Sequence, residues 1–168
     1  PVLNDPDGGV RRWAVWALGR KEDLRATVAI IAKLEDSDAN VRCAAASALG
    51  RIHDQKVVGL IAIRLADPHP AVQLAAGDQL AQHIPEDLLR PEDWRIVPLA
   101  MRLLESPNPA LSRNAVIILG RVSDQSYGAG IDWLDTSAQQ RREVVDQWKT
   151  WYAASAPARR EAQRPATN

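Results

Sequence analysis

Arg20, Arg51 and Arg121 occupy the same place in a segment that recurs along this chain, with Gln82 filling the remaining copy. A guanidinium presents paired N–H donors in one plane, so a file of arginines one repeat apart could grip carboxylates or phosphates bidentately. Two further files run beside it: Arg12, Cys43, Leu74 and Arg113, then Trp16, Ser47, Asp78 and Ile117. Trp13 and Trp16, with Arg12 and Arg20, form the most distinctive cluster, because tryptophan and arginine are favoured anchors at interfaces. A structural account competes for some of these residues. Arginine in the last turn of a helix is stabilised by the helix dipole whether or not it binds anything. Trp13 is expected to pack on the absent first helix of its repeat or on an upstream repeat, since the opening Pro1-Val-Leu-Asn-Asp5-Pro reads as the tail of a helix whose beginning is missing.

The residues that could catalyse are few and scattered. His53, His69 and His83 all fall near turns or helix ends, and no His-Glu dipeptide or paired-histidine metal motif occurs. Cys43 and Ser47 lie four apart without an evident base, and no nucleophile elbow, phosphate-cradling glycine loop or Cys-x-x-Cys pair occurs. No catalytic residue, cofactor ligand or metal ligand is therefore assigned. The chemistry on offer is binding.

What must position these files is a repeat. The segment Asp38-Ala-Asn-Val41-Arg42-Cys-Ala-Ala45-Ala-Ser-Ala48-Leu49-Gly50-Arg51 has counterparts beginning at Asp7, His69 and Asn108. Its aliphatic marker falls at Val10, Val41, Val72 and Leu111, giving steps of 31, 31 and 39 residues. A period of this size predicts a solenoid of helix pairs. In the second helix of each pair, Val41, Ala45, Ala48 and Leu49 make the core-facing stripe, with Val10, Ala14, Ala17 and Leu18, then Val72, Ala76, Gln79 and Leu80, then Leu111, Ala115, Ile118 and Leu119 as equivalents. Asp7, Asp38 and Asn108 are expected N-caps, each worth roughly 1 kcal/mol, and His69 is the poor cap of the set. Gly19, Gly50 and Gly120 are expected to end their helices in left-handed geometry.

First helices are predicted at about 23–35, 54–66 and 95–105, with Leu24, Val28, Ile31 and Leu34 as apolar positions in one and Val58, Ile61 and Leu65 in the next. The longer last step reflects an insertion at about 84–94, a loop with a short helical turn that Trp94 anchors. After Arg121 the repeat gives way to the turn residues 123–130 and a helix from about Ser137 to Ala154, whose Trp148 and Trp151 suit a cap on the last apolar face. The domain reading is repeats over 1–122, a capping segment over 123–155, and a disordered tail or linker over 156–168.

Composition narrows the partners. Twenty-one basic residues balance 21 acidic ones, so the broad positive field of many nucleic-acid binders is absent. Cys43 is the single cysteine and excludes an internal disulfide. No apolar run reaches the roughly 20 residues of a membrane-spanning helix, and compartment and oligomeric state are not specified.

The Asp-x-x-Val-Arg-x-x-Ala-x-x-Ala-Leu-Gly pattern resembles the HEAT-repeat family over residues 5–121, in particular the short bacterial repeats also seen in phycobilisome lyases. The resemblance implies an all-α, right-handed superhelix whose second helices line a concave face. It also implies a ladder between repeats, with Asp5, Asp36 and Asp67 (or Asp7 and Asp38) meeting Arg11 and Arg42, and weakening where Gln73 and Ser112 replace arginine. The expectation is a non-enzymatic scaffold that holds a protein or peptide through Arg12, Trp16, Arg20, Ser47, Arg51, Asp78, Arg113, Ile117 and Arg121. The alternatives are a nucleic-acid module gripping phosphates and an accessory subunit of a bilin lyase.

Overall fold

The computed structural model describes residues 2–20, 26–52, 55–89, 95–123 and 125–155. All regular structure among them is helical, as the repeat requires. Two compact units meet in sequence at Leu89 and Arg90, inside the predicted insertion.

In the first unit, α1 (Gly8–Gly19), α3 (Ala39–Leu49) and α5 (Pro70–Asp78) are the second helices of their repeats. The first helices α2 (Thr27–Ala32) and α4 (Gln55–Ile63) each tighten into a 3-10 turn, Lys33–Glu35 and Arg64–Ala66. A matching 3-10 turn at Val2–Asn4 keeps the 31-residue register, so the opening segment is this turn. α3 packs against α1, α2, α4 and α5, and Val41, Ala45, Ala46, Ala48 and Leu49 are buried accordingly. Alanine at these positions lets the helix axes come close, which is the packing that a larger side chain would force apart.

Several expectations are corrected here. The predicted stripe of α1 is not its buried face: Val10 is 38% exposed, while Val15 and Gly19 are the buried residues because they face α3. Val28, placed among the apolar positions of α2, is 78% exposed. Gly19 and Gly50 do stand where their helices stop, as the last residue of α1 and the cap of α3, but Gly50 is right-handed, at φ −61° and ψ −17°, and Gly120 lies inside α7. Closeness explains two of these glycines better. A Cβ on Gly19 would sit 2.5 Å from the Ala48 Cβ and 3.0 Å from its Cα, and one on Gly50 would collide with the Gln79 side chain. His69 does cap, its Nδ1 accepting the Ala71 N–H, but at 3.3 Å its bond is the longest of the four, in keeping with its place as the poor cap of the set. Asp7, Asp38 and Asn108 cap as expected, at 2.6, 2.8 and 3.0 Å. Beyond α5 the chain runs through a π-helical turn, Gln79–His83, and a 3-10 turn, Glu86–Leu88. Leu24, His53, Trp94 and the tail 156–168 lie outside the described residues.

The second unit pairs α6 (Ile96–Leu103) with α7 (Pro109–Arg121), followed by turns and α8 (Ala138–Ala154). Leu111, Ala115, Ile118 and Leu119 are buried as the stripe predicts. Pro98 stands in the first turn of α6, where its missing N–H has no carbonyl to serve. Ser137 opens α8 with a reciprocal capping box to Gln140. Trp148 is fully buried, its Nε1 donating to the Tyr127 carbonyl at 3.0 Å, and Tyr127 and Trp151 meet its ring edge to face.

Candidate functional site

The separation and tilt of α1 and α3 are fixed by two kinds of contact. At the C-terminal end, Gly19 lies against Ala48. At the N-terminal end, Arg11 crosses to the next repeat, donating from Nε to Asp36 Oδ2 at 2.9 Å and from Nη2 to Oδ1 at 2.6 Å. Its Nη1 bonds the Asp5 and Pro6 carbonyls of its own turn. Arg42 repeats this one layer on, with 2.9 Å bonds to both oxygens of Asp67 and bonds to the Asp36 and Ser37 carbonyls. Asp36 and Asp67 are thus the acids of the ladder, and Asp7 and Asp38 serve as caps. Gln73 keeps only the turn-carbonyl bond, to Asp67 at 2.7 Å, and Ser112 does the same with Ser106 and Leu103.

The electrostatics follow from this geometry. The Arg11 guanidinium and the Asp38 N–H hold the Asp36 carboxyl down at about 2, against the opposing cost of burial. For Asp67 burial is the largest influence and pushes upward, yet Arg42 and the His69 N–H together leave its carboxyl below the ordinary value. Both arginines are raised in turn by the acids they bond.

Between α1 and α3 lies a groove of about 400 Å³ whose lining includes Arg12, Trp13, Trp16, Cys43, Ser47 and Arg51. Trp13 is 58% and Trp16 44% exposed, and their rings meet edge to face with centroids 5.4 Å apart. The Val2–Asn4 turn touches α1 and leaves Trp13 exposed. The Arg12 guanidinium stands 5.3 Å from the Trp13 ring centre and that of Arg20 4.9 Å from Trp16, cation–π contacts that hold these charges beside the aromatic wall. Burial pushes the Cys43 thiol up, which disfavours a thiolate on the groove floor. Among the described lining residues none is acidic.

The predicted residues divide. Arg12, Trp16, Ser47 and Arg51 share this groove, with Arg20 stacked at its edge. Asp78 lines neither this groove nor the cavity described next; its Oδ1 lies 3.5 Å from Gln82 Nε2. Arg113, Ile117 and Arg121 line a separate cavity of about 640 Å³ in the second unit, closed by residues 125–133. Sequence columns missed that closing loop because it belongs to no repeat. The available signal was the run Tyr127-Gly-Ala-Gly130, where Gly128 and Gly130 adopt φ +76° and +82°. Trp13 and Asn40 are groove residues that the binding set had left out.

Among the described residues no cluster of three or more His, Cys, Asp or Glu could hold a metal, and no helix is long and apolar enough to cross a membrane. The family model for HEAT repeats matches residues 1–60. Among solved structures, the chain is similar to one in the complex of CpcE and CpcF of phycocyanin lyase from Nostoc sp. PCC7120, at 22% identity and a TM-score of 0.61. That likeness covers 95% of this chain but only 65% of the other, so the chain spans less than two thirds of that relative's length. No curated protein sequence matches it. Residues 1–60 thus match the HEAT-repeat model, and the described residues form an all-α, HEAT-like fold.

Proposed function

We propose that this repeat scaffold binds a protein or peptide through the α1–α3 groove and acts by holding its partner rather than by catalysis. The observation that carries the reading is the pairing of two exposed tryptophans with Arg12 and Arg51 around a groove without an acidic lining residue among those described. An apolar side chain of the partner would sit against Trp16, and flanking carboxylates would meet the arginines. The similar chain from phycocyanin lyase was solved in a two-subunit complex, which supports a protein as the occupant. Trp16→Ala should weaken the partner by about 2 kcal/mol or more while leaving helicity unchanged, measured by titration calorimetry and circular dichroism. Undiminished binding by that variant overturns the reading.

The same likeness favours a second reading, an accessory role in attaching a bilin pigment. It requires a change in visible absorbance when bilin is added to the chain. Phosphate recognition is the weaker alternative, since the chain carries no net charge. A salt titration on duplex DNA separates it, because phosphate binding falls steeply as salt rises.

A further inference from the structure

We infer that the flank of α1 turned away from α3 is a docking face for one more helix pair of this chain's own repeat type, a pair that enters through the Val2–Asn4 turn and presents an arginine to Asp5. At positions 5, 36 and 67 the carboxylate takes one pose, its Oδ1 accepting the backbone N–H two residues on at 2.9, 3.0 and 2.9 Å. In Asp36 and Asp67 the posed carboxylate also receives Nε and Nη2 of the arginine 25 positions earlier. Asp5 has the pose without the arginine. Among the described residues no cation bonds its carboxylate, and Arg11 reaches only its carbonyl.

The apolar half of the layer is open on the same flank. Val41 and Val72 are buried where Val10 is exposed, Ala45 and Ala76 are buried where Ala14 is half-buried, and Ala48 lies buried against Gly19 where Ala17 is exposed. α3 has a second helix on each side, α1 and α5, whereas α1 has only α3. Register dictates what would cover it. In both layer contacts the arginine of the earlier helix takes the acid, and the glycine eight positions later lies against the next helix: Arg11 and Gly19 meet Asp36 and Ala48, and Arg42 and Gly50 meet Asp67 and Gln79. The occupant therefore carries arginine and, eight positions on, glycine on its second helix. Its first helix runs into the Val2–Asn4 turn, as α2 and α4 run into theirs. A charge-assisted, two-pronged bond to Asp5 would fix its register. A second copy of the chain does not qualify, because its Arg11 and Arg42 are already bound to Asp36 and Asp67, and α5 has Gln73 in their place. The face is distinct from the groove between α1 and α3, and a peptide titration of that groove does not bear on it.

The test extends the whole chain by one layer. A copy of residues 1–32 is placed ahead of Val2, so that the copy's Ala32 takes the place of Pro1 and its Arg11 falls 25 positions before Asp5. Urea unfolding followed by circular dichroism should show the midpoint rising by about 0.5 M or more over that of the unextended chain. Asp5→Asn, which keeps the Oδ1 acceptor, and Ala17→Leu, which overpacks the contact, should each lower the extended midpoint and leave the unextended one unchanged. No rise on extension, or a rise that either variant leaves intact, overturns the assignment. So does a concentration-dependent dimer of the unextended chain, seen by sedimentation, that Ala17→Leu dissociates, because the face would then belong to a second copy.

Discussion

The two units hold their helices together by different physics. In the first, small residues bring the axes close and Arg11 and Arg42 stitch one repeat to the next through half-buried ion pairs. In the second, the arginine of the repeat is replaced by Ser112, and closure falls to stacked rings around Trp148. The Lys149 to Glu105 bridge there is exposed at both ends and adds little. In the first unit the open space lies between two repeat helices, α1 and α3, and in the second it lies between α7 and the irregular loop 125–133. A repeat that changes its fastening also changes the kind of surface it presents.

The largest effect should come from Trp148→Ala, which removes a fully buried indole and its bond to the Tyr127 carbonyl. A loss of about 4 kcal/mol in urea unfolding is expected. A loss below 1 kcal/mol would break the comparison at its aromatic end. Next, Arg42→Ala leaves Asp67 buried without its partner and should cost about 3 kcal/mol, whereas Ser112→Ala in the second unit, which loses only neutral hydroxyl bonding to the Leu103 and Ser106 carbonyls, should cost about 1 kcal/mol. Equal costs would show that the ion pairs do not distinguish the first unit. The smallest effect is one of pH. Because the folded carboxyl of Asp36 titrates at about 2, below its unfolded value of about 3.9, its stabilisation is whole above pH 4 and is lost as pH falls toward 2. Urea midpoints of Arg11→Met should therefore decline less between pH 4 and 2 than those of the unaltered chain. Parallel declines would sharpen the comparison against the ladder.

The helix positions were legible because a 31-residue repeat with alanine in register leaves few other solutions. Burial was legible where neighbours flank a helix on several sides, as for Val41 and Ala45, and misread in α1, where Val10 and Val15 differ only in what lies opposite them. Glycine carried two meanings. Gly19 read as a helix stop, but the structure uses its missing Cβ for contact with Ala48, a distinction that no single sequence position carries. His69 was legible as the poor cap, since a neutral imidazole nitrogen accepts more weakly than a carboxylate and its bond is correspondingly the longest. In the binding set, Arg12, Trp16, Ser47 and Arg51 came together because repeat spacing puts them on adjacent helices. Arg113, Ile117 and Arg121 were read as an extension of the same track, since periodicity is blind to a non-repeating loop that walls them off.

Each ladder arginine reaches an acid 25 positions ahead, at the same spacing in both rungs. One residue added inside α2, between Arg11 and Asp36, or inside α4, between Arg42 and Asp67, would turn the helix faces by about 100° and take the acid out of line. The chain's eight surplus residues fall after Arg42's rung, past the point where Gln73 has already given up the reach. Engineered insertions should be accepted there and refused inside α2 and α4.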